Sequence, residues 1–162
     1  MRACLPPCRP ANRLSPHRPI IGPIPPATPV SDYKTHHNFL VYGGRAMKND
    51  FGGHDNHHYH NVYGYVGSGP HVCATLADHE DYFYENKLVT TGTDVGSLQC
   101  KTPKTVIRNN TYFTPTGKIN ECGMDLAKLQ KGGGDPGSTV SKIPADDTII
   151  GWARELLATS AQ

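Results

Sequence analysis

The stretch Val106-Ile107-Arg108-Asn109-Asn110-Thr111-Tyr112-Phe113 reads as a short strand, a bend at Asn110 and a second short strand. Three upstream stretches repeat the phrase: Thr35-His36-His37-Asn38-Phe39-Leu40, His58-Tyr59-His60-Asn61-Val62-Tyr63 and Phe83-Tyr84-Glu85-Asn86-Lys87-Leu88. The four asparagines, Asn38, Asn61, Asn86 and Asn110, follow one another at intervals of 23, 25 and 24 residues. A period of this length is the signature of stacked structural units. Asparagine tolerates the left-handed backbone region that most L residues avoid, so it is expected to form the bend itself. Its amide offers two donors and an acceptor, and amides on coils about 4.8 Å apart can hydrogen-bond to one another in a file. A buried polar group without a partner costs about 1 to 3 kcal/mol, and repetition removes that cost.

Working outward from each asparagine, Leu40, Tyr63, Leu88 and Tyr112 lie two positions later, and Thr35, His58, Phe83 and Ile107 three positions earlier. Side chains alternate between the faces of a strand, so both columns are expected to face inward. An antiparallel meander would also give strands at regular spacing. The Asn-Gly and Asp-Gly signals of two-residue hairpins are missing from the repeats, however, and the asparagine sits within each phrase rather than between long strands. Parallel coils are therefore the expected arrangement.

The four phrases, Val106 to Phe113 above all, resemble the right-handed parallel β-helix superfamily of pectate lyases, alginate lyases, mannuronan epimerases and many sugar hydrolases. The resemblance spans about residues 31 to 117. It implies an all-β fold, a short right-handed parallel β-helix of about four coils with a C-terminal helical cap. It also implies polysaccharide as the partner, with the chain a lyase, epimerase or glycoside hydrolase or the C-terminal portion of one, and an extracellular or secretory location. It does not choose the reaction, because one fold hosts many functions.

The 162 residues make room for one domain, with three expected parts: a Pro-rich leader over 1–30, coils over 31–120 and a helical cap over 121–162. Nine of the 14 prolines fall in the leader, which is expected to be extended or disordered and has no unbroken apolar run for a secretory signal. The net charge of +2 comes from this leader: from residue 31 onward 12 basic residues face 14 acidic ones, a balance of −2. No basic surface for nucleic acid is implied, and no segment has the length and apolarity to span a membrane. In the cap, residues 125–130 suit a short helix stopped by Gly132-Gly133-Gly134. A second helix is expected from Pro144 to about Ala158, with Ile149, Trp152, Ala153, Leu156 and Leu157 on its apolar stripe, covering the last coil. Cys73, Cys100 and Cys122 are spaced about one coil apart, within reach of a disulfide between neighbours, and Cys4 and Cys8 lie in the leader. The absence of a CxxC pair argues against a structural zinc site.

A second repeated phrase precedes the ladder: Gly53-His54-Asp55-Asn56 before Asn61 and Asp78-His79-Glu80-Asp81 before Asn86. In one register Asp32, Asp55 and Glu80 form an acidic column that ends at Lys104, with His54 and His79 beside it. Carboxylates at coil spacing perturb one another, so one can hold its proton and act as acid while the other acts as base or nucleophile. That spacing is close to the roughly 5 to 5.5 Å of retaining glycosidases. Asp55 and Glu80 are thus the candidate catalytic carboxylates, and His54 or His79 the proton carrier. Related lyases use Ca²⁺ to neutralise a uronate carboxylate, and the resemblance implies the same ion for these oxygens. Gly, His, Asp and Asn are equally at home where a chain turns, so the phrase also suits a purely structural corner. The run from His54 to His60 is expected to stack rather than to bind zinc, because neighbouring strand residues point to opposite faces.

On the outer face His36, Tyr59, Tyr84 and Arg108 fall in one column. Tyr59 and Tyr84 are candidate sugar-stacking residues, and Lys104 or Arg108 candidate partners for an acidic sugar. The alternative, from a different class, is a non-catalytic structural or adhesive module that self-associates through an uncovered first coil.

Overall fold

A computed structural model describes residues 31–49, 52–72, 75–96, 105–121 and 123–159. The expected leader, Lys104 and all five cysteines lie outside them.

The repeats fold as parallel coils. β1 (Lys34–His36), β4 (His57–Tyr59), β7 (Asp81–Tyr84) and β9 (Thr105–Arg108) stack into one sheet in that order. β2 (Phe39–Val41), β5 (Val62–Val66), β8 (Lys87–Thr90), β10 (Thr111–Thr114) and β11 (Thr139–Lys142) form a second, and β3 (Met47–Asn49) with β6 (Pro70–Val72) a short third. Every strand pair is parallel. The register is the one the asparagine spacing demands: Thr35, His58, Phe83 and Ile107 pair in sequence, as do Leu40, Tyr63, Leu88 and Tyr112. The molecule is a short parallel β-helix, or β-solenoid, of about four coils.

Both columns fill the core. Tyr63, Phe83, Leu88 and Tyr112 are at most 1% exposed, while Leu40 on the first coil is 43% exposed because no described coil lies below it. His58 also faces inward, where its Nδ1 lies 3.2 Å from the hydroxyl of the buried Tyr63.

The asparagine file forms at the corner between the two large sheets. Oδ1 of Asn86 accepts from both the backbone N–H and the Nδ2 of Asn61, at 3.0 and 3.1 Å. Nδ2 of Asn86 in turn donates to Oδ1 of Asn110 at 3.2 Å and to the His58 carbonyl at 2.9 Å. Asn38 and Asn61 make the same contacts one coil earlier, and Ser138 Oγ ends the file by accepting from the Asn110 N–H. Contrary to the expectation of a bend at the asparagine itself, the left-handed residue is the one before it, His37, His60, Glu85 and Asn109, with φ between 52° and 56°. Asparagine is selected here for its amide, and the bend falls on its neighbour. On the fifth rung that neighbour is Gly137 (φ 73°), where an added Cβ would meet Asn109 Oδ1 at 2.1 Å.

The C-terminal part holds α1 (Leu126–Lys131), capped by the Asp125 side chain accepting from the Lys128 N–H at 2.8 Å, and α2 (Asp146–Thr159). Buried Leu126 of α1 joins the core cluster, which places α1 at the end of the coils. The apolar stripe of α2 does not lie across the last coil but against the outward face of the second sheet. Trp152 packs on Phe113 with ring centroids 4.9 Å apart, Lys87 Nζ sits 5.3 Å from the Trp152 ring, and Ile149 is 2% exposed near Gly64. Between the two helices of the expected cap, β11 adds a fifth rung to the second sheet beside β10. Its Thr-Val-Ser-Lys sequence lacks the asparagine that announces the other coils, with Ser138 in its place.

Candidate functional site

The second repeated phrase lies at the corner leading into the first sheet, in the expected register. Ser31 bridges His54, the Asp55 N–H donates to the Glu80 carbonyl at 2.6 Å, and the Tyr82 N–H donates to the Asn56 carbonyl at 2.8 Å. Asp32 and Asp55 therefore occupy equivalent positions on successive coils; Glu80 lies beside Asp55 on the next coil, where the left-handed residue is Asp78 (φ 64°). Asp32 and Asp55 are left-handed, with φ of 61° and 56°, so the corner is also a true turn.

Within the acidic row the Asp55 carboxylate is engaged by a histidine. Asp55 Oδ2 lies 2.6 Å from His79 Nδ1. The hydrogen bond from His79 holds the Asp55 carboxyl below its usual range, the reverse of a carboxyl kept protonated by a like-charged neighbour. His54 joins this pair: its ring centroid is 4.3 Å from that of His79, and its Nδ1 is 2.9 Å from the Gly52 carbonyl. A carbonyl only accepts, so Nδ1 of His54 carries the hydrogen of this bond. One atom from each of His54, Asp55 and His79 falls within 4.8 Å of the other two. Neighbouring side chains on a regular strand diverge; the left-handed Asp55 lets residues 54 and 55 share a side.

Ca²⁺, implied by the family resemblance, does not fit these donors. It takes six to eight oxygen ligands, and the atoms that converge are two imidazole nitrogens and one carboxylate oxygen.

The sequence reading missed the use of Asn56 and Asp81 in the same phrase. Asp81 is fully buried, and its Oδ1 accepts from the Asn56 N–H and Nδ2 at 3.0 and 3.1 Å while Oδ2 accepts from Asn49 Nδ2 at 2.5 Å. Asn56 Oδ1 then accepts from the Tyr33 N–H at 3.1 Å. This second ladder pins the corner that carries His54, Asp55 and His79. The signal was present as the 25-residue spacing of Asn56 and Asp81, hidden because the two residue types differ.

On the outer face of the first sheet His36, Tyr59, Tyr84 and Arg108 pair in one column, as their spacing predicts. His36 stacks on Tyr59 and Tyr59 on Tyr84, with centroids 4.9 and 5.2 Å apart, and the Arg108 guanidinium lies 4.7 Å from the Tyr84 centroid. Beside them His57 stacks on Tyr82 at 4.3 Å. Because the rings stack on one another, they turn edges, hydroxyls and ring nitrogens to solvent more than open faces.

A cleft of about 250 Å³ also opens between α2 and the asparagine corner, lined by His37, His60, Glu85, Lys87, Trp152 and Leu156. His60 Nε2 contacts Glu85 Oε2 at 3.1 Å there. The cleft exists because α2 lies on the sheet face, which residue pattern alone did not reveal.

Inside the coil, burial pushes the His58 imidazole down to about 4. The unfolded chain takes up this proton near 6.5 and the folded one only near 4, so between those values the unfolded state binds more protons and stability falls as pH falls. The effect approaches about 3 kcal/mol once both states are protonated. In urea titrations from pH 7 to pH 4, His58→Gln is expected to flatten this dependence by close to one proton; an unchanged slope would show that His58 is not the group.

Compared with protein-family models, with curated proteins and with solved structures, the chain matches none. Its class therefore rests on the coils themselves: a parallel β-helix with a buried asparagine ladder.

Proposed function

We propose that this β-helix binds polysaccharide along the outer face of its first sheet, as a carbohydrate-active β-helix protein or a portion of one, with Asp55 and His79 as its acid and base groups. The observation that carries the reading is the file His36–Tyr59–Tyr84–Arg108, a row of ring edges, hydroxyls and one guanidinium set at coil spacing along a flat sheet. Such a row offers hydrogen bonds at regular intervals to an extended glycan, and Arg108 offers a two-pronged partner for a uronate carboxylate. Asp55, held ionised by the hydrogen bond from His79, is suited to orient that imidazole and to stabilise positive charge on it as a proton is passed.

Affinity electrophoresis in gels containing alginate, pectate or a neutral glucan tests the binding. Retardation by the acidic glycans is expected, with Arg108→Ala weakening it about tenfold, which corresponds to roughly 1.4 kcal/mol. No retardation by any glycan would remove the reading. Ultraviolet absorbance of unsaturated uronate products, followed with the wild type and His79→Ala, tests catalysis separately.

A second reading, self-association as a structural module, is supported by the first coil. Among the described residues β1 and β2 are the end strands of their sheets, and Phe39, Leu40, Val41 and Tyr42 are 36 to 80% exposed. Exposed strand edges template further pairing. A monomer at all concentrations in sedimentation would exclude it.

A further inference from the structure

We propose that His54, Asp55 and His79 bind a late first-row transition-metal dication such as Zn²⁺, with two imidazole nitrogens and one carboxylate oxygen as protein ligands. The inference goes beyond the glycan reading and does not depend on it.

Three observations carry it. The donors converge, with one atom from each residue within 4.8 Å of the others. They come from two adjacent coils whose relative position is fixed by backbone bonds on both sides, Asp55 to Glu80 and Tyr82 to Asn56, and by the buried Asn56–Asp81 contact. A site on such rigid elements costs little to organise. The third observation is orientation. Metal-bound histidines commonly donate their other ring N–H to a carbonyl or carboxylate, which fixes the free nitrogen as ligand. His54 does so to Gly52, which leaves its Nε2 as the ligand nitrogen.

The donor chemistry selects the ion. Imidazole with carboxylate suits zinc, copper and nickel, while Mg²⁺ and Ca²⁺ prefer oxygen alone. Three protein ligands leave a fourth tetrahedral position for water, the pattern of open zinc sites. The side chains of His79 and Asp55 are 38% and 32% exposed, so the ion and its water have a path. Bond lengths near 2.0 to 2.1 Å place tetrahedral ligand atoms about 3.3 Å apart, so if His79 binds through Nδ1 its 2.6 Å contact with Asp55 opens and the shared hydrogen leaves. Binding should therefore release a proton.

Isothermal titration of the chelator-treated full chain with ZnCl₂ tests the proposal. One saturable equivalent is expected, reduced at least tenfold in His54→Ala and in His79→Ala. His37→Ala, which removes a histidine of the separate α2 cleft, should retain it. Circular dichroism of each variant confirms the coils. Co²⁺ should give the visible absorption of a tetrahedral nitrogen–oxygen site, lost in the same two variants. No saturable binding, or binding that survives both His54→Ala and His79→Ala, would overturn the proposal. Because no glycan is present, failure here leaves the polysaccharide reading standing, and failure of glycan retardation leaves the metal site standing.

Discussion

Asn86→Ala is expected to lower stability by about 3 to 5 kcal/mol, which for a domain of this size shifts the thermal midpoint by roughly 10 °C. Asn86 is 1% exposed, and its amide makes four hydrogen bonds. The loss is larger than one hydrogen bond's worth because the partners stay behind. The backbone N–H and Nδ2 of Asn61 lose their acceptor, and the His58 carbonyl and Asn110 Oδ1 lose a donor, all close to the core. Each group stranded in a buried place costs about 1 to 3 kcal/mol, partly relieved where water reaches it. Asn38→Ala is the internal comparison. Asn38 is exposed and its Nδ2 donates to Asn61 Oδ1 and the His36 carbonyl, so this change should cost under about 1.5 kcal/mol. Equal losses in urea denaturation would mean that the file does not bear the stability assigned to it.

Gly69→Ala should be more damaging still. A Cβ at residue 69 would lie 1.6 Å from the Val95 carbonyl oxygen and 2.3 Å from its carbon, which are backbone atoms of the next coil. Repacking of a side chain cannot relieve this, since the contact is with main chain. Overpacking against movable side chains costs about 1 to 3 kcal/mol, and here the backbone just before β6 must part from that at Val95 to make room, so a loss of at least 3 kcal/mol is expected. Gly92→Ala is the control, because nothing lies within 4 Å of its added Cβ. Cooperative urea unfolding of the two variants beside the parent measures both effects; a Gly69→Ala midpoint equal to that of Gly92→Ala would mean that the coils do not approach so closely.

Legibility in the sequence followed repetition. The four asparagines gave strand order, register and inward columns because each coil restates the same constraint, and one restatement checks another. The fifth rung was hidden because Ser138 replaces the amide and Gly137 the left-handed residue, so nothing in the letters matches the other coils. The position of α2 was hidden for a different reason. Its apolar stripe says that one face is buried, but Phe113 and Lys87, the residues it covers, read on their own strands as ordinary outward positions. The candidate site was half legible. Spacing aligned Asp55 with Glu80, while the turn of the Asp55 carboxylate toward His79 depends on backbone handedness at one residue.

The ladder also has a direction. At the interior rungs Asn61 and Asn86, Oδ1 accepts from the asparagine of the coil before and Nδ2 donates to Oδ1 of the asparagine of the coil after, so both rungs present the same two faces to their neighbours. A whole unit of 23 to 25 residues, copied in tandem and inserted between Asn61 and Asn86, would meet complementary groups above and below. An insertion of half that length would not. Lengthening by duplication is thus built into the geometry, and artificial chains elongated one complete turn at a time offer a direct route to a taller scaffold.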